Sequence, residues 1–196
     1  MRRRVRAGVL ISGRGSNMSA LIEAARAPGF AAEVALVLSD KPAAAGLGAA
    51  RAAGVAAEAL DYRRFSGKPE FEAAVTAALA AADVELICLA GFMRILSAGF
   101  VERWRGRILN VHPSLLPDLK GLHTHERAIA EGRAEHGCTV HFVTADLDAG
   151  PIVAQARVPV LPDDDADGLA ARVLVEEHRI YPMALEAVAR ALRAGT

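Results

Sequence analysis

The chain has 196 residues, 23 basic and 23 acidic side chains and 53% hydrophobic residues, a balance that suits a single domain with a sizeable core spanning residues 1–196. Zero formal net charge excludes broad binding to nucleic acid or to an anionic membrane surface, since both need a surplus of Lys and Arg. No run of about 18 apolar residues lacks a charge or a breaker, so no membrane span is expected.

The basic start is followed by an apolar run, Ala7–Ile11, too short for a signal sequence, and a cytoplasmic location is expected. Val5–Ile11 is a short apolar strand, and Ser16–Arg26 places Met18, Leu21, Ile22 and Ala25 on one helical face. Glu33–Leu38 reads as a second strand, an alanine-rich helix ends at Gly54, and Val55–Leu60 reads as a third strand. Phe71–Ala82 has helical spacing, and the continuous apolar run Val84–Leu89 suits a central strand. A short helix over Ser97–Trp104, a strand over Arg107–Val111 and a helix over Thr124–Glu131 follow. Cys138–Val143 and Ile152–Val160 have no helix between them, so an antiparallel edge is expected before a last helix, Asp167–Arg193. This alternation predicts an α/β fold: a doubly wound, mainly parallel Rossmann-like sheet with an antiparallel C-terminal edge and helices on both faces. Cys88 and Cys138 sit among apolar residues and read as buried small hydrophobes. The run Asp163–Asp165 reads as a solvated turn with helix N-terminal electrostatics.

Candidate chemistry concentrates in Ile108–Pro117. Strand alternation puts Ile108, Asn110 and His112 on one face, and Pro113 keeps His112 in extended backbone at the strand's C-terminal end, where parallel α/β sheets bind ligands. Between the first strand and helix, Ser12-Gly13-Arg14-Gly15-Ser16-Asn17 offers glycines, a hydroxyl and an amide at a helix N-terminus, a pattern suited to one phosphate. Met18 stands where a dinucleotide fingerprint needs a third small residue, and the Gly-Lys-Ser/Thr of a Walker loop is absent. Ser114 lacks a nucleophile elbow and neither cysteine has an electropositive neighbourhood, so covalent catalysis is not expected. No ligand set has metal spacing, and no metal is expected. Asn110 and His112 are left for electrostatic and acid–base work, which calls for a carboxylate; spacing does not choose between Asp146 and Asp148.

Five segments together, Val9–Asn17, Leu89–Leu96, Asn110–Pro117, Gly137–Val143 and Asp146–Pro151, resemble the phosphoribosylglycinamide formyltransferases of purine biosynthesis, in order and with family-like spacing from about residue 7 to Pro182. The resemblance implies transfer of a formyl group from 10-formyltetrahydrofolate, the co-substrate, to the amine of glycinamide ribonucleotide, by a monomer or homodimer without nucleic acid or membrane. It implies Asn110, His112 and Asp148 as the catalytic trio. Gly15, Ser16 and Asn17 match the phosphate-holding loop, and Glu177 matches a ribose-binding carboxylate. Met93, Arg94, Ile95 and Leu96, together with Val143, Thr144, Asn110 and Asp148, match walls of the folate pocket. Lys68 stands where some members carry a ligand-contacting arginine, and lysine keeps the charge without the planar fork. Arg14, Leu119 and Lys120 depart from the usual pattern. A 10-formyltetrahydrofolate hydrolase and a methionyl-tRNA formyltransferase share the Asn/His/Asp logic, but the phosphate loop favours a ribonucleotide acceptor. An inert Rossmann-type nucleotide-binding module is the reading from another class, and it has no need for three such groups on two loops.

Overall fold

Apolar alternation along the strands decides the layers. The computed structural model describes residues 3–195, so Met1 and Arg2 of the basic start lie outside the described residues. Its strands are β1 (Val5–Ile11), β2 (Ala32–Ser39), β3 (Ala57–Ala59), β4 (Leu86–Leu89), β5 (Ile108–His112), β6 (Glu135–Phe142) and β7 (Ile152–Pro159), and its helices are α1 (Ser16–Ala25), α2 (Ala45–Ala52), α3 (Lys68–Ala81), α4 (Ala98–Arg103), α5 (Thr124–Ala130) and α6 (Ala166–Ala194). One sheet forms in the order β3-β2-β1-β4-β5-β6-β7. The first five strands pair in parallel, while β5 with β6 and β6 with β7 pair antiparallel, as the sequence predicts.

Odd positions of β1 (Ala7, Val9, Ile11) join Leu86 and Cys88 of β4 and Leu109 and Val111 of β5 in a core with Met18 and Leu21 of α1 and Leu169, Val173 and Leu185 of α6. Leu10, Ile87, Leu89 and Ile108 point the other way, against Phe71, Val75 and Leu79 of α3, Phe100 of α4 and Trp104 at its C-terminal cap. Burying each such Leu or Phe stabilises the fold by roughly 1.5–3 kcal/mol. Asn110 and His112 share the second face with Ile108 and reach beyond the end of that core, which leaves them free to line a cavity.

Some boundaries differ from expectation. β3 is three residues long because, at the sheet edge, it pairs only with Val37–Ser39. α3 begins at Lys68, three residues early, since Pro69 in the first turn has no N–H to leave unpaired. β6 begins at Glu135, where β7 supplies a partner in Pro159. Cys88 and Cys138 are buried free thiols, and burial pushes both up to about 12. Of the acidic run, Asp165 caps α6 by accepting from the Gly168 N–H, and Asp164, held down to about 2 by its bonds to Arg172, also accepts from the Leu161 N–H. No helix among the described residues is long and apolar enough to cross a membrane.

The longest helix is tied to the sheet by one hydroxyl. Tyr181 Oη lies 3.0 Å from the Leu89 carbonyl and 3.1 Å from that of Leu109, bridging β4 and β5 one residue before Ala90 and Asn110. Tyr181→Phe keeps the ring and leaves these buried carbonyls a donor short. Urea unfolding should show a loss of about 1–3 kcal/mol; an unchanged midpoint would mean that the hydroxyl contributes nothing to holding the two strands.

Candidate active site

The site sits beyond the C-terminal ends of β4, β5 and β6. A cavity of about 560 Å³ opens there, lined by Gly91–Leu96 after β4, Asn110–Pro113 of β5 and the turn after it, Gly121–Glu126, and His141 with Val143–Asp148 after β6. Its size lies in the range of pockets that enclose a small organic ligand.

Side-chain to backbone bonds shape the turn that follows His112. Thr124 Oγ1 donates to the Pro113 carbonyl, Ser114 Oγ to that of Asp118, and Thr139 Oγ1 to that of Ser114. The turn brings Leu119, at a left-handed φ of 51°, to present its carbonyl oxygen 3.0 Å from His112 Nε2. A carbonyl only accepts, so Nε2 carries a proton. The other nitrogen, Nδ1, lies 3.4 Å from Asp148 Oδ2, and both side chains are more than nine-tenths buried.

Asp148 reaches this position through an unusual backbone. Its φ of 47° is left-handed, tolerated by Asp better than by most residues, and the Gly121 N–H donates to Oδ2 at 3.0 Å. Two residues on, a Cβ at Gly150 would stand 1.7 Å from the Phe142 carbonyl oxygen, so only glycine lets the loop return this closely to β6. Asp146, the other candidate carboxylate, is exposed to solvent. Of the two aspartates, the path of the chain brings Asp148 to the imidazole of His112.

Sequence reasoning did not single out His141. It faces Asn110 across the β5–β6 ladder, with Nε2 3.2 Å from Asn110 Nδ2 and 3.7 Å from Asp148 Oδ1, while Nδ1 sits 2.9 Å from the Phe142 carbonyl. Burial lowers its proton affinity, which favours the neutral ring. The signal lay in the pairing register, which a single strand does not reveal.

Other predicted residues divide into those at the cavity and those beside it. Met93, Arg94, Ile95, Leu96, Val143 and Thr144 line the cavity, and Met93 and Ile95 are largely exposed to it or to solvent. The Arg94 guanidinium stacks 3.5 Å over the Tyr62 ring, and its Nε lies 2.7 Å from the buried Asp40 carboxylate, which anchors this wall to the end of β2. Lys68 does not reach the main cavity. At the start of α3 it lines an adjoining hollow of about 240 Å³ with Tyr62, Phe71, Glu72 and the same Met93–Leu96 segment.

Gly15, Ser16, Asn17 and Glu177 are also outside the cavity lining. Gly15, at φ 75°, precedes the first turn of α1, so the loop presents backbone N–H groups at the positive end of that helix. Arg14 is exposed. Asn17 Nδ2 donates to Glu177 Oε2 at 2.6 Å, so its side chain is turned to α6, while its buried Oδ1 has no partner within the described residues. Burial raises Glu177 above the ordinary carboxylate range against the pull of the Asn17 amide. The loop joins the cavity wall through Ser12, whose N–H donates to the Gly91 carbonyl and whose Oγ accepts from the Met93 N–H.

Behind the cavity, His136 Nε2 lies 3.1 Å from His125 Nδ1 with the rings edge to face. Burial and the neighbouring His125 push His136 down to about 4. Because the folded chain refuses a proton that the unfolded chain accepts near 6.5, stability is full above that pH and falls toward about pH 4. Urea midpoints measured across this window should fall with pH, and His136→Gln should flatten the decline. A variant with the parent's slope would remove His136 from this account.

The formyl transferase family matches residues 5–185. The chain is 51% identical over 185 residues to the trifunctional purine biosynthetic protein adenosine-3 of Drosophila melanogaster, spanning 93% of this chain and 14% of that protein. It is 45% identical over 177 residues to the phosphoribosylglycinamide formyltransferase of Escherichia coli, covering 90% of this chain and 84% of that one. The crystal structure of phosphoribosylglycinamide formyltransferase from Brucella melitensis superposes with a TM-score of 0.92 at 55% identity, over 95% of this chain and 96% of that one. The chain thus spans a small part of its trifunctional relatives and most of the length of its monofunctional ones.

Proposed function

Since the chain belongs to the formyl transferase family, we propose that it transfers a formyl group from 10-formyltetrahydrofolate to the amine of glycinamide ribonucleotide, a step of purine biosynthesis. The observation that carries this reading is the convergence of Asn110, His112 and Asp148, from two separate segments, on the wall of one cavity.

Residue types and positions suit the chemistry. Phe92, Ile95, Leu96, Leu89 and Val143 give the cavity apolar walls for a flat heteroaromatic ring, and the backbone of Gly91–Leu96 and Val143–Asp148 supplies donors and acceptors along its edge. The Ser16 hydroxyl and the free N–H groups at the start of α1 hold the ribonucleotide phosphate, while Glu177 and the unpaired Asn17 Oδ1 accept from sugar hydroxyls. Asn17 thus serves the phosphate through its backbone, and its amide serves the ribose side. Lys68, from the neighbouring hollow, meets the acidic end of a folate that extends along Met93–Leu96.

The neutral amine attacks the formyl carbon, and the carbonyl oxygen takes up negative charge. Asn110 donates a hydrogen bond to that oxygen, and His112, protonated and held by Asp148, stabilises it by charge and hydrogen bonding. One proton leaves the attacking nitrogen, relayed by Asp148 directly or through water, and one reaches the departing N10 as the carbon–nitrogen bond breaks. No residue is acylated, in keeping with the absence of a nucleophile elbow.

Spectrophotometric transfer with each substrate withheld in turn tests the reaction. Tetrahydrofolate should be released only when glycinamide ribonucleotide is present; release in its absence at the same rate indicates a hydrolase. Asn110→Ala and His112→Ala should each lower turnover by about 10²- to 10³-fold while the fold persists. Near-parental turnover in either variant would remove that residue from the trio.

A further inference from the structure

We infer that His141 is a positioning residue, one that sets which end of the Asn110 side-chain amide faces the reacting carbonyl by offering it a bare imidazole nitrogen. The inference rests on the formyl-transfer reading for its consequence, and on hydrogen-bond logic alone for its structural part.

The pairing of β5 with β6 places Asn110 opposite His141 and His112 opposite Thr139. Because side chains alternate, all four project from the same face of the sheet, the face that opens into the cavity. His141 Nδ1 is 2.9 Å from the Phe142 carbonyl oxygen, which has no proton to give, so Nδ1 carries the hydrogen. A neutral ring then has a lone pair at Nε2. That atom is 3.2 Å from Asn110 Nδ2, and only the amide nitrogen, not the amide oxygen, has a hydrogen to offer it.

The charged surroundings are consistent with this tautomer. The groups that face His141 are Asp148 on the following loop, His112 on β5 and Lys120 on the intervening turn. Asp148 favours a proton on His141, while His112 and Lys120 oppose one, and burial outweighs them all. Asp148 Oδ1 stays 3.7 Å away, and its Oδ2 is engaged by the Gly121 N–H.

The consequence is a choice between two nearly isosteric orientations. With the nitrogen end turned to His141, one N–H of Asn110 is spent on Nε2 and the second remains as a donor on the cavity side. With the amide reversed, its oxygen would face the lone pair of Nε2, an acceptor against an acceptor. An amide free to adopt both orientations would present an acceptor to the developing oxyanion for part of the time. The loss should fall on turnover rather than on substrate binding, because the oxygen becomes negative only as the amine adds.

Two substitutions separate an acceptor role from a packing role. In His141→Gln the side-chain oxygen can occupy the place of Nε2, whereas in His141→Asn the polar group reaches only to the place of Nδ1. The Gln variant should keep most of the parental kcat. The Asn variant should lose roughly 10- to 100-fold in kcat, less than the outright loss of an oxyanion donor, with KM unchanged for both substrates. Equal kcat in the two variants, whether both high or both low, overturns the inference, and so does a loss that appears in KM alone.

A spectroscopic arm uses the unmodified protein and does not depend on activity. Long-range proton–nitrogen correlation spectra at neutral pH, with the His141 signals identified by their disappearance in His141→Gln, should show a protonated Nδ1 and an unprotonated Nε2. A proton on Nε2 would falsify the assignment. Should the parent protein transfer no formyl group to glycinamide ribonucleotide, the activity reading fails, and the nitrogen spectra still decide the tautomer.

Discussion

The antiparallel pairing of β5 with β6 is the constraint on which the site depends. The chain returns through residues 113–134, α5 included, on an antiparallel course that sets His141 against Asn110 and Thr139 against His112, and sends residues 143–150 back across the mouth of the cavity with Asp148. Thr139 accepts from the Leu116 N–H and from Gln155 while donating to the Ser114 carbonyl, so the same ladder also holds the turn that follows His112. The register of one strand pair therefore determines the placement of both loops that meet at the imidazole.

The remainder of the sheet supplies the other half of the site. Strand order reverses between β1 and β4, because the chain leaves β1 toward β2 on one side and later returns to place β4 on the other. Loops from such neighbours diverge and leave a crevice between them. Here the crevice is pinned at its base by the bonds of Ser12 to Gly91 and Met93, so the loop before α1 and the wall of the main cavity are a single hydrogen-bonded unit. α6 closes it from below, with Glu177 on the Asn17 amide and Tyr181 on β4 and β5 one turn later. In the proposed reaction, a phosphate at the start of α1 and a formyl group beside Asn110 would thus be referred to one hydrogen-bonded frame.

Periodicity made Asn110 and His112 legible in the sequence, since two residues apart in a strand means one face whatever the tertiary context. The order of strands and helices was equally legible, because buried parallel strands read as continuous apolar runs and their helices as amphipathic ones. Three features were not. Asp148 was separated from Asp146 only by its resemblance to a family motif, because the distinction depends on a left-handed φ at Asp148 and a glycine pressed on the Phe142 carbonyl, both properties of the folded loop. His141 required the register of two strands. The Asn17 side chain, read from its neighbours as a phosphate ligand, is claimed by a carboxylate 160 positions away that no local pattern connects to it.

A site built in this way has most of its donors occupied by uncharged partners before any substrate arrives. His112 Nε2 donates to the neutral carbonyl of Leu119, so this buried group is not left unsatisfied, which would cost about 1–3 kcal/mol, while the half-buried Asn110 amide gives one N–H to the neutral ring of His141 and keeps the second for the cavity. These resting acceptors are uncharged. An oxygen that gains a full negative charge during reaction is a stronger acceptor than either, and hydrogen bonds to it are about twice as strong as those between neutral partners. In the proposed reaction, His112 and the cavity-side N–H of Asn110 would therefore interact weakly with the ground-state carbonyl and strongly with the tetrahedral oxyanion. In the proposed reaction that difference, rather than tight binding of the substrate, would lower the barrier. The carboxylate of Asp148 completes the arrangement, because its Oδ2, held by the Gly121 N–H, lies 3.4 Å from His112 Nδ1 and favours a proton there as the oxygen becomes negative in the proposed reaction.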